Sequence, residues 1–322
     1  MNNSNSPISY RNVSRKSAII MFSVSIVVSF LVVASNLATI LTFLVNRHLR
    51  RRSVYCLIHL AVVDMMHGVL RMAFESCVYD FYFGSKLFCS VFSLNIVLAI
   101  HDLTFAMCLF SLVLISLERT YATFSPFKYR TLRLKSYIML CTSAWLLSAL
   151  IIGPFIKTKT LPNYGSIFIT ILITISFICL IVMCTSYKAI LHNIKLQSKR
   201  LNTSQHKTSI TRRPNCEQHL AVTLVIVTLL FVITWLPWIV TVTIVLCCTK
   251  EISFIEYRVI LIIQLTNSLI NPIVYVTRMR DFREAMAKLI FRCSLDLHRP
   301  REVVQYHKNG RGNEAVVQLS FR

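Results

Sequence analysis

The sequence is short of what a water-soluble enzyme needs. Only 15% of its 322 residues are charged, against about 25% in soluble globular domains. Acidic residues are the scarcest of these: 13 Asp and Glu stand against 35 Lys and Arg, a formal net charge of +22. Glycine is rare at 6 residues, which excludes a collagen-like chain. With 11 Cys in so long a sequence, a disulfide scaffold is excluded too. No HExxH, GxSxG or Walker sequence occurs and the His residues are scattered, so no enzymatic activity and no metal are expected. In a soluble chain the basic excess would point to nucleic acid. Here 55% of the residues are apolar and gathered in runs, so a membrane surface explains the charge and no nucleic-acid partner is expected.

Seven runs approach spanning length: Ser17–Val45, Val54–Val78, Leu87–Leu117, Ser136–Ile156, Tyr164–Ile190, Glu217–Cys248 and Ile252–Val276. About 20 apolar residues cross a bilayer as a helix. Helix is required because lipid offers the backbone no hydrogen bonds. The reading is an all-α integral membrane protein, a bundle of seven transmembrane helices. The polar stretch Met1–Lys16 places the first run too late for a cleaved signal peptide. Basic residues cluster after the first, third, fifth and seventh runs, for example Arg50, Arg51, Arg52, Lys199, Arg200 and Arg283. They place the N-terminus outside and the C-terminus in the cytoplasm. The expected divisions are an outer tail (1–16), the bundle (17–276), an amphipathic surface helix (277–293) and a cytoplasmic tail (294–322). Residues from Asp296 to Arg322 read as mostly disordered. Asn2 and Asn12 are glycosylation candidates in the outer tail.

Polar residues inside such runs are expensive and so are functional candidates. Asn36, Asp64, Glu118-Arg119, Trp145, Trp235-Leu236-Pro237 and Asn271-Pro272-Ile273-Val274-Tyr275 occur in this order on six of the seven helices. Together they resemble the rhodopsin-like (class A) G-protein-coupled receptors, from Asn36 to about Cys293. The resemblance implies a cell-surface receptor that converts binding of an extracellular ligand into activation of a heterotrimeric G protein. It implies that Arg119 is held by Glu118 and by Glu217 at the base of the sixth helix, a lock that opens on activation. The alternative is that Glu217 merely flanks a membrane helix. Phe231 and Trp235, on the cytosolic side of the Pro237 bend, resemble the family's rotamer switch. Tyr187 and Tyr275 would swing inward, and Pro126-Phe127 would touch the G protein. Asp64, Asn267, Ser268 and Asn271 resemble the family's sodium pocket, whose oxygens suit a hard cation. Cys108 stands where the family commonly has Ser, removing one ligand; a hydrated polar network is the alternative, and no other cofactor is implied. The segment Arg280–Phe291 is amphipathic and should lie on membrane lipids. Cys293 just beyond it is a palmitoylation candidate. Thr203, Ser204, Thr208 and Ser209 are places where phosphorylation would recruit an arrestin-like regulator.

The departures concern the ligand side. The outer segment Lys157–Asn163 is short and lacks cysteine, so the family's usual loop-to-third-helix disulfide cannot form. Cys77, Cys89, Cys247 and Cys248 face the oxidising side, and the pairing is open. Cys179 replaces the fifth-helix proline. Together these resemble the melanocortin branch and its lysolipid and cannabinoid relatives. Leu265 replaces the lysine that holds retinal in opsins. His101 stands where amine receptors carry Asp, with Asp102 beside it. Asp64, His67, Arg71 and Glu75 line one face of the second helix. Arg71 and Glu75, at i and i+4, either pair with each other or anchor a charged ligand group. The expected ligand pocket is Arg71, Glu75, His101, Asp102 and Trp238. The runner-up class is a seven-helix transporter or channel, though the paired halves and broken helices of many transporters are not evident.

Overall fold

The structure is a computed structural model that describes residues 8–9, 13–49, 54–84, 91–157, 164–203, 212–248, 252–298, 301–309 and 312–320. Its described helices are α1 (Arg15–Val45), α2 (Val54–Phe83), α3 (Val91–Phe124), α4 (Pro126–Thr131), α5 (Leu134–Lys157), α6 (Tyr164–Thr203), α7 (Arg212–Cys248), α8 (Phe254–Arg278) and α9 (Arg280–His298). Each apolar run of the sequence has become one long helix. α1, α2, α3, α5, α6 and α8 are long and apolar enough to cross a membrane, and α7 contributes the described apolar stretch Leu229–Val245. Several helices run past the apolar residues into polar flanks: α6 continues to Thr203 and α7 begins at Arg212. A helix already nucleated in lipid extends at little cost through good helix formers.

Capping sets two entries. Ser14 Oγ accepts from the Ser17 backbone N–H at 3.0 Å and starts α1. Ser253 and Glu256 form a reciprocal capping box at the start of α8. Just before that box, strand β2 (Ile252–Ser253) pairs in parallel with β1 (Ile8–Ser9), so the N-terminal segment is tied to the entry of α8.

α1 packs against α2 and α8, α7 lies between α6 and α8, and α3 touches α2, α5 and α6. The outward surface is apolar, as at Phe30, Leu146, Ile181 and Leu150, the last 72% exposed. Asn36, Asp64, Glu75, Asn267 and Asn271 are buried. Apolar outside and polar inside is the arrangement lipid demands.

Two details fix how closely the helices approach. Pro272 has no N–H to give to the carbonyl one turn back, that of Ser268. Asn36 Nδ2 of α1 donates to that carbonyl at 3.0 Å, so the bend in α8 is satisfied from a neighbouring helix. At Gly68 of α2, a Cβ would lie 3.0 Å from Val33 Cγ2, 3.1 Å from Val32 Cγ1 and 3.2 Å from the Ser29 carbonyl oxygen. A small residue is what lets α1 and α2 come together here.

α9 buries Phe282 and Ala285, with the Phe282 ring 4.8 Å from Phe43 and 6.0 Å from Tyr275. Ile290 and Phe291 are exposed on it. Arg280 donates to Glu284 at 2.9 Å, which holds the Glu284 carboxyl below its ordinary value. The tail departs from the expected disorder. β3 (Arg301–Asn309) pairs antiparallel with β4 (Gly312–Ser320), Val304 opposite Val317. The sequence has the means for this: Val303-Val304 and Val316-Val317 suit strands, and Gly310-Arg311, between the paired Asn309 and Gly312, is a Gly-X pair of the kind that closes two-residue hairpins.

Replacing Gly68 by Leu should separate α1 from α2 and destabilise the bundle by about 1–3 kcal/mol, as overpacking does. A lower melting temperature of the purified protein would show it, with Gly68→Ala intermediate.

Candidate functional site

The polar interior forms three layers. At the inner end, Arg119 of α3 grips its neighbour: Nε and Nη2 donate to the two Glu118 carboxylate oxygens. Tyr129 of α4 joins them, donating to Glu118 Oε1 and accepting from Arg119 Nη2 at 3.3 Å. Burial pushes the Tyr129 phenol well above its ordinary value, over the opposing pull of Arg119. Its hydroxyl therefore stays a donor across the physiological range. Tyr129 did not figure in the sequence reading, because nothing in the spacing brings a loop residue back to α3; the short helix that Pro126 starts at its first turn does so. Pro126 is exposed and Phe127 is 82% exposed. The side chain of Glu217 lies outside the described residues.

In the middle, Asp64 of α2 is fully buried. Ser268 Oγ donates to its Oδ1 at 2.7 Å and Asn271 Nδ2 to its Oδ2 at 2.8 Å. The Cys108 thiol of α3 points at Oδ1 from 3.5 Å. Thr234 Oγ1 of α7 lies 3.4 Å from Asn267 Oδ1. Asp64, Ser268 and Asn271 of the set gathered in the sequence reading, with Cys108, thus meet at one point joining α2, α3 and α8, while Asn267 turns to Thr234 of α7. Its donor chemistry suits a hydrogen-bonded network better than a sodium site, since a soft thiol takes the place of a hard hydroxyl ligand and the amide and hydroxyl donors are turned toward the carboxylate.

Above Asp64 lies an aromatic plug. Phe231 and Trp235 of α7 have ring centroids 5.0 Å apart. Phe105 of α3 stands 4.6 Å from Trp235 and 5.2 Å from Trp238. Phe105 was missed in the sequence, where one Phe in an apolar run carries no signal. Tyr187 and Tyr275 are both buried.

The outer layer is denser in charge than the i,i+4 spacing suggested. Arg71 Nη2 lies 2.8 Å from Glu75 Oε1. Arg258 of α8 pairs with Glu75 Oε2, and Ser25 Oγ of α1 donates to Oε1 at 2.8 Å. Glu75 thus ties three helices together. His101 stacks on Phe74 at 5.4 Å and lies 5.1 Å from His67; its Nδ1 is 3.4 Å from Asp102 Oδ1. Arg258 is a charge inside the seventh apolar run, and that alone was the signal that could have found it.

Of the four outer cysteines, Cys77 is disulfide-bonded and Cys247 is free. Cys89, Asn2 and Asn12, and the side chain of Cys293, lie outside the described residues.

Replacing Asp64 by Leu should orphan Ser268 Oγ and Asn271 Nδ2 at about 1–3 kcal/mol each. Asp64→Asn keeps one acceptor and should lose less. Melting curves of the purified variants check the order; an unchanged Leu variant would show the network to be without weight in stability.

Residues 35–275 match the family described as 7 transmembrane receptor (rhodopsin family). A histamine H2 receptor of Cavia porcellus is 28% identical, covering 93% of this chain and 87% of its own length. The histamine H2 receptor of Homo sapiens is 27% identical over 84% of this chain and 78% of its own. The adenosine receptor A2b of Gallus gallus is 27% identical over 82% and 86%. The transporter or channel alternative finds no support in these relatives, which are receptors. The match begins one residue before the Asn that bridges to α8 and ends on Tyr275, so it spans all of the polar interior just described except Ser25: the chain belongs to the rhodopsin family of seven-transmembrane, G-protein-coupled receptors.

Proposed function

We propose that the protein sits in the plasma membrane with its N-terminus outside, and converts binding of a small extracellular ligand into activation of a heterotrimeric G protein. The observation that carries the inner half of this reading is Arg119, held by Glu118 and Tyr129 at the inner end of α3. A buried acid–Arg pair is a good two-state element, because breaking it frees a guanidinium to take another partner. Phe127, standing exposed beside it, is an apolar handle for that partner. Glu217 is the second acid of the lock.

The ligand side is the pocket of Arg71, Glu75, His101, Asp102 and Trp238, above the Trp235–Phe231 pair that would relay its occupancy to Tyr187 and Tyr275. Relatives named for histamine and adenosine support a small molecule. Asn2 and Asn12 would carry glycans outside. Cys293 would carry a palmitoyl chain beside the exposed Ile290 and Phe291 that meet lipid, and the phosphorylatable loop from Thr203 to Ser209 would recruit an arrestin-like regulator.

G-protein dissociation in cells without added ligand tests the lock. Tyr129→Phe removes a hydrogen bond to an ionised group, worth about 1.5–3 kcal/mol, from the resting state. Basal coupling should rise roughly tenfold or to saturation. Glu217→Ala should raise it too, and Arg119→Ala should abolish it. Basal coupling indifferent to all three substitutions, at verified surface expression, would remove the lock.

A further inference from the structure

Among the described residues, two buried guanidiniums, Arg71 and Arg258, share one directly bonded carboxylate, that of Glu75, while the carboxylate of Asp102 lies beside His101. Glu75 already receives Ser25 Oγ as well. Arg71 Nη2 is near Glu75 but out of hydrogen-bonding alignment, and among the described residues three buried donors of the cluster find no aligned acceptor: Nε and Nη2 of Arg71, and Nε of Arg258. Orphaned donors on a charged group in a low-dielectric interior are among the most costly arrangements a fold can hold.

Nε and Nη2 form one edge of a guanidinium, the planar fork that fits a carboxylate two-point. The same protein shows that edge filled elsewhere, where Nε and Nη2 of Arg119 take the two oxygens of Glu118. On Arg71 neither atom of that edge makes an aligned hydrogen bond to a described residue, although Nη2 lies 2.8 Å from Glu75 Oε1. The rest of the guanidinium rests on an aromatic face, with Cζ 5.2 Å from the Phe74 ring, and Phe74 in turn stacks on His101. Side-chain exposure rises along this wall, from 4% at Arg71 to 12% at His101 and 31% at Asp102. His101 and Asp102 are therefore the more accessible members of this wall.

We propose that the Arg71–Glu75–Arg258 cluster is a recognition site for the carboxylate of a small, partly aromatic monoanion, with Arg71 gripping it two-point and Arg258 supplying the second charge. An added carboxylate would give the two guanidiniums a second directly bonded anion and give the orphaned donors their acceptor. Phe74 and His101 offer the apolar part of the ligand a flat surface. The inference rests on the receptor reading and names its ligand class. It sets this pocket apart from one built for a protonated amine, for which two guanidiniums around one directly bonded carboxylate are repulsive.

The test uses matched probes on the purified full chain: acetate, octanoate and 3-phenylpropionate against phenethylamine, each raised to about 10 mM, with the melting temperature as readout. The expected result is that 3-phenylpropionate stabilises the wild type and phenethylamine does not. Arg71→Gln and Arg71→Lys, the second keeping the charge but losing the fork, should each weaken the apparent affinity at least tenfold. Because the readout is the ligand-dependent shift, a variant that merely melts lower does not mimic this result, and Arg258→Gln supplies an independent arm should Arg71 variants fail to fold. Stabilisation by phenethylamine alone, abolished in Asp102→Asn, would overturn the proposal. So would a shift produced by chloride against gluconate that no carboxylate exceeds, or no shift with any acid. G-protein dissociation is scored separately: acid binding without coupling leaves this site standing and sinks the receptor mechanism, while intact basal coupling with inert acids does the reverse.

Discussion

Lipid supplies no hydrogen bonds, so a polar group inside the bundle is costly unless another part of the protein, or a ligand, completes it. That constraint organises the structure. Ser268 loses its backbone partner to Pro272, and Asn36 of α1 replaces it. Asp64 of α2 is completed by Ser268 and Asn271 of α8. Glu75 of α2 is completed by Ser25 of α1 and Arg258 of α8. The same three helices recur because each satisfies the others. Gly68 then lets α1 and α2 approach closely enough for the bonds to form.

The inner end obeys the same rule with different parts. Arg119 and Glu118 are adjacent in sequence and satisfy each other, so their pair holds no two helices together by itself. Tyr129 of α4 converts it into a contact between α3 and the loop that follows. The bonds among α1, α2 and α8 cross between helices deep in the bundle, whereas the Arg119 group rests on one short helix beyond the apolar run. It is the layer that can rearrange with least disturbance to the rest.

What was legible in the sequence follows from the same physics. Hydrophobic run length is dictated by bilayer thickness, so the seven spans could be read within a few residues at most of their ends; the polar extensions of α6 and α7 could not, because a helix in solution is not marked by hydropathy. Asp64, Asn267, Ser268 and Asn271 could be grouped in the sequence only through the resemblance to the rhodopsin-like receptors; the costliness of polar residues in lipid-spanning runs marked each as a candidate but did not pair them. Arg71 and Glu75 were found on one helix face by their spacing alone. Arg258, Ser25, Phe105 and Tyr129 were not found, for they reach these groups from other elements, and the spacing along one helix says nothing about its neighbours. The tail was misread because low hydrophobicity was weighed above the Val pairs and Gly310-Arg311, which are local strand and turn signals.

The placement of charge bears on how an outer event could reach the inner end. On α2, Glu75 and Asp64 are eleven residues apart, about 16 Å at 1.5 Å per residue. On α8, Arg258 and the Asn267–Asn271 group span a similar length. α2 and α8 are therefore cross-linked twice, once by an ion pair and once by neutral donors to a carboxylate. Two rungs between the same two rods resist relative sliding far more than either alone. A ligand can shift such an assembly only by the difference in its affinity for the two arrangements. A carboxylate bound at the upper rung has that leverage: it adds a second anion between Arg71 of α2 and Arg258 of α8, and whatever change α8 makes there is transmitted along a continuous helix to the rung that holds Asp64. Pro272, one residue beyond Asn271, is where the helix lacks a backbone hydrogen bond and can bend, so the movement of α8 would be expressed below it, at Tyr275 and Phe282.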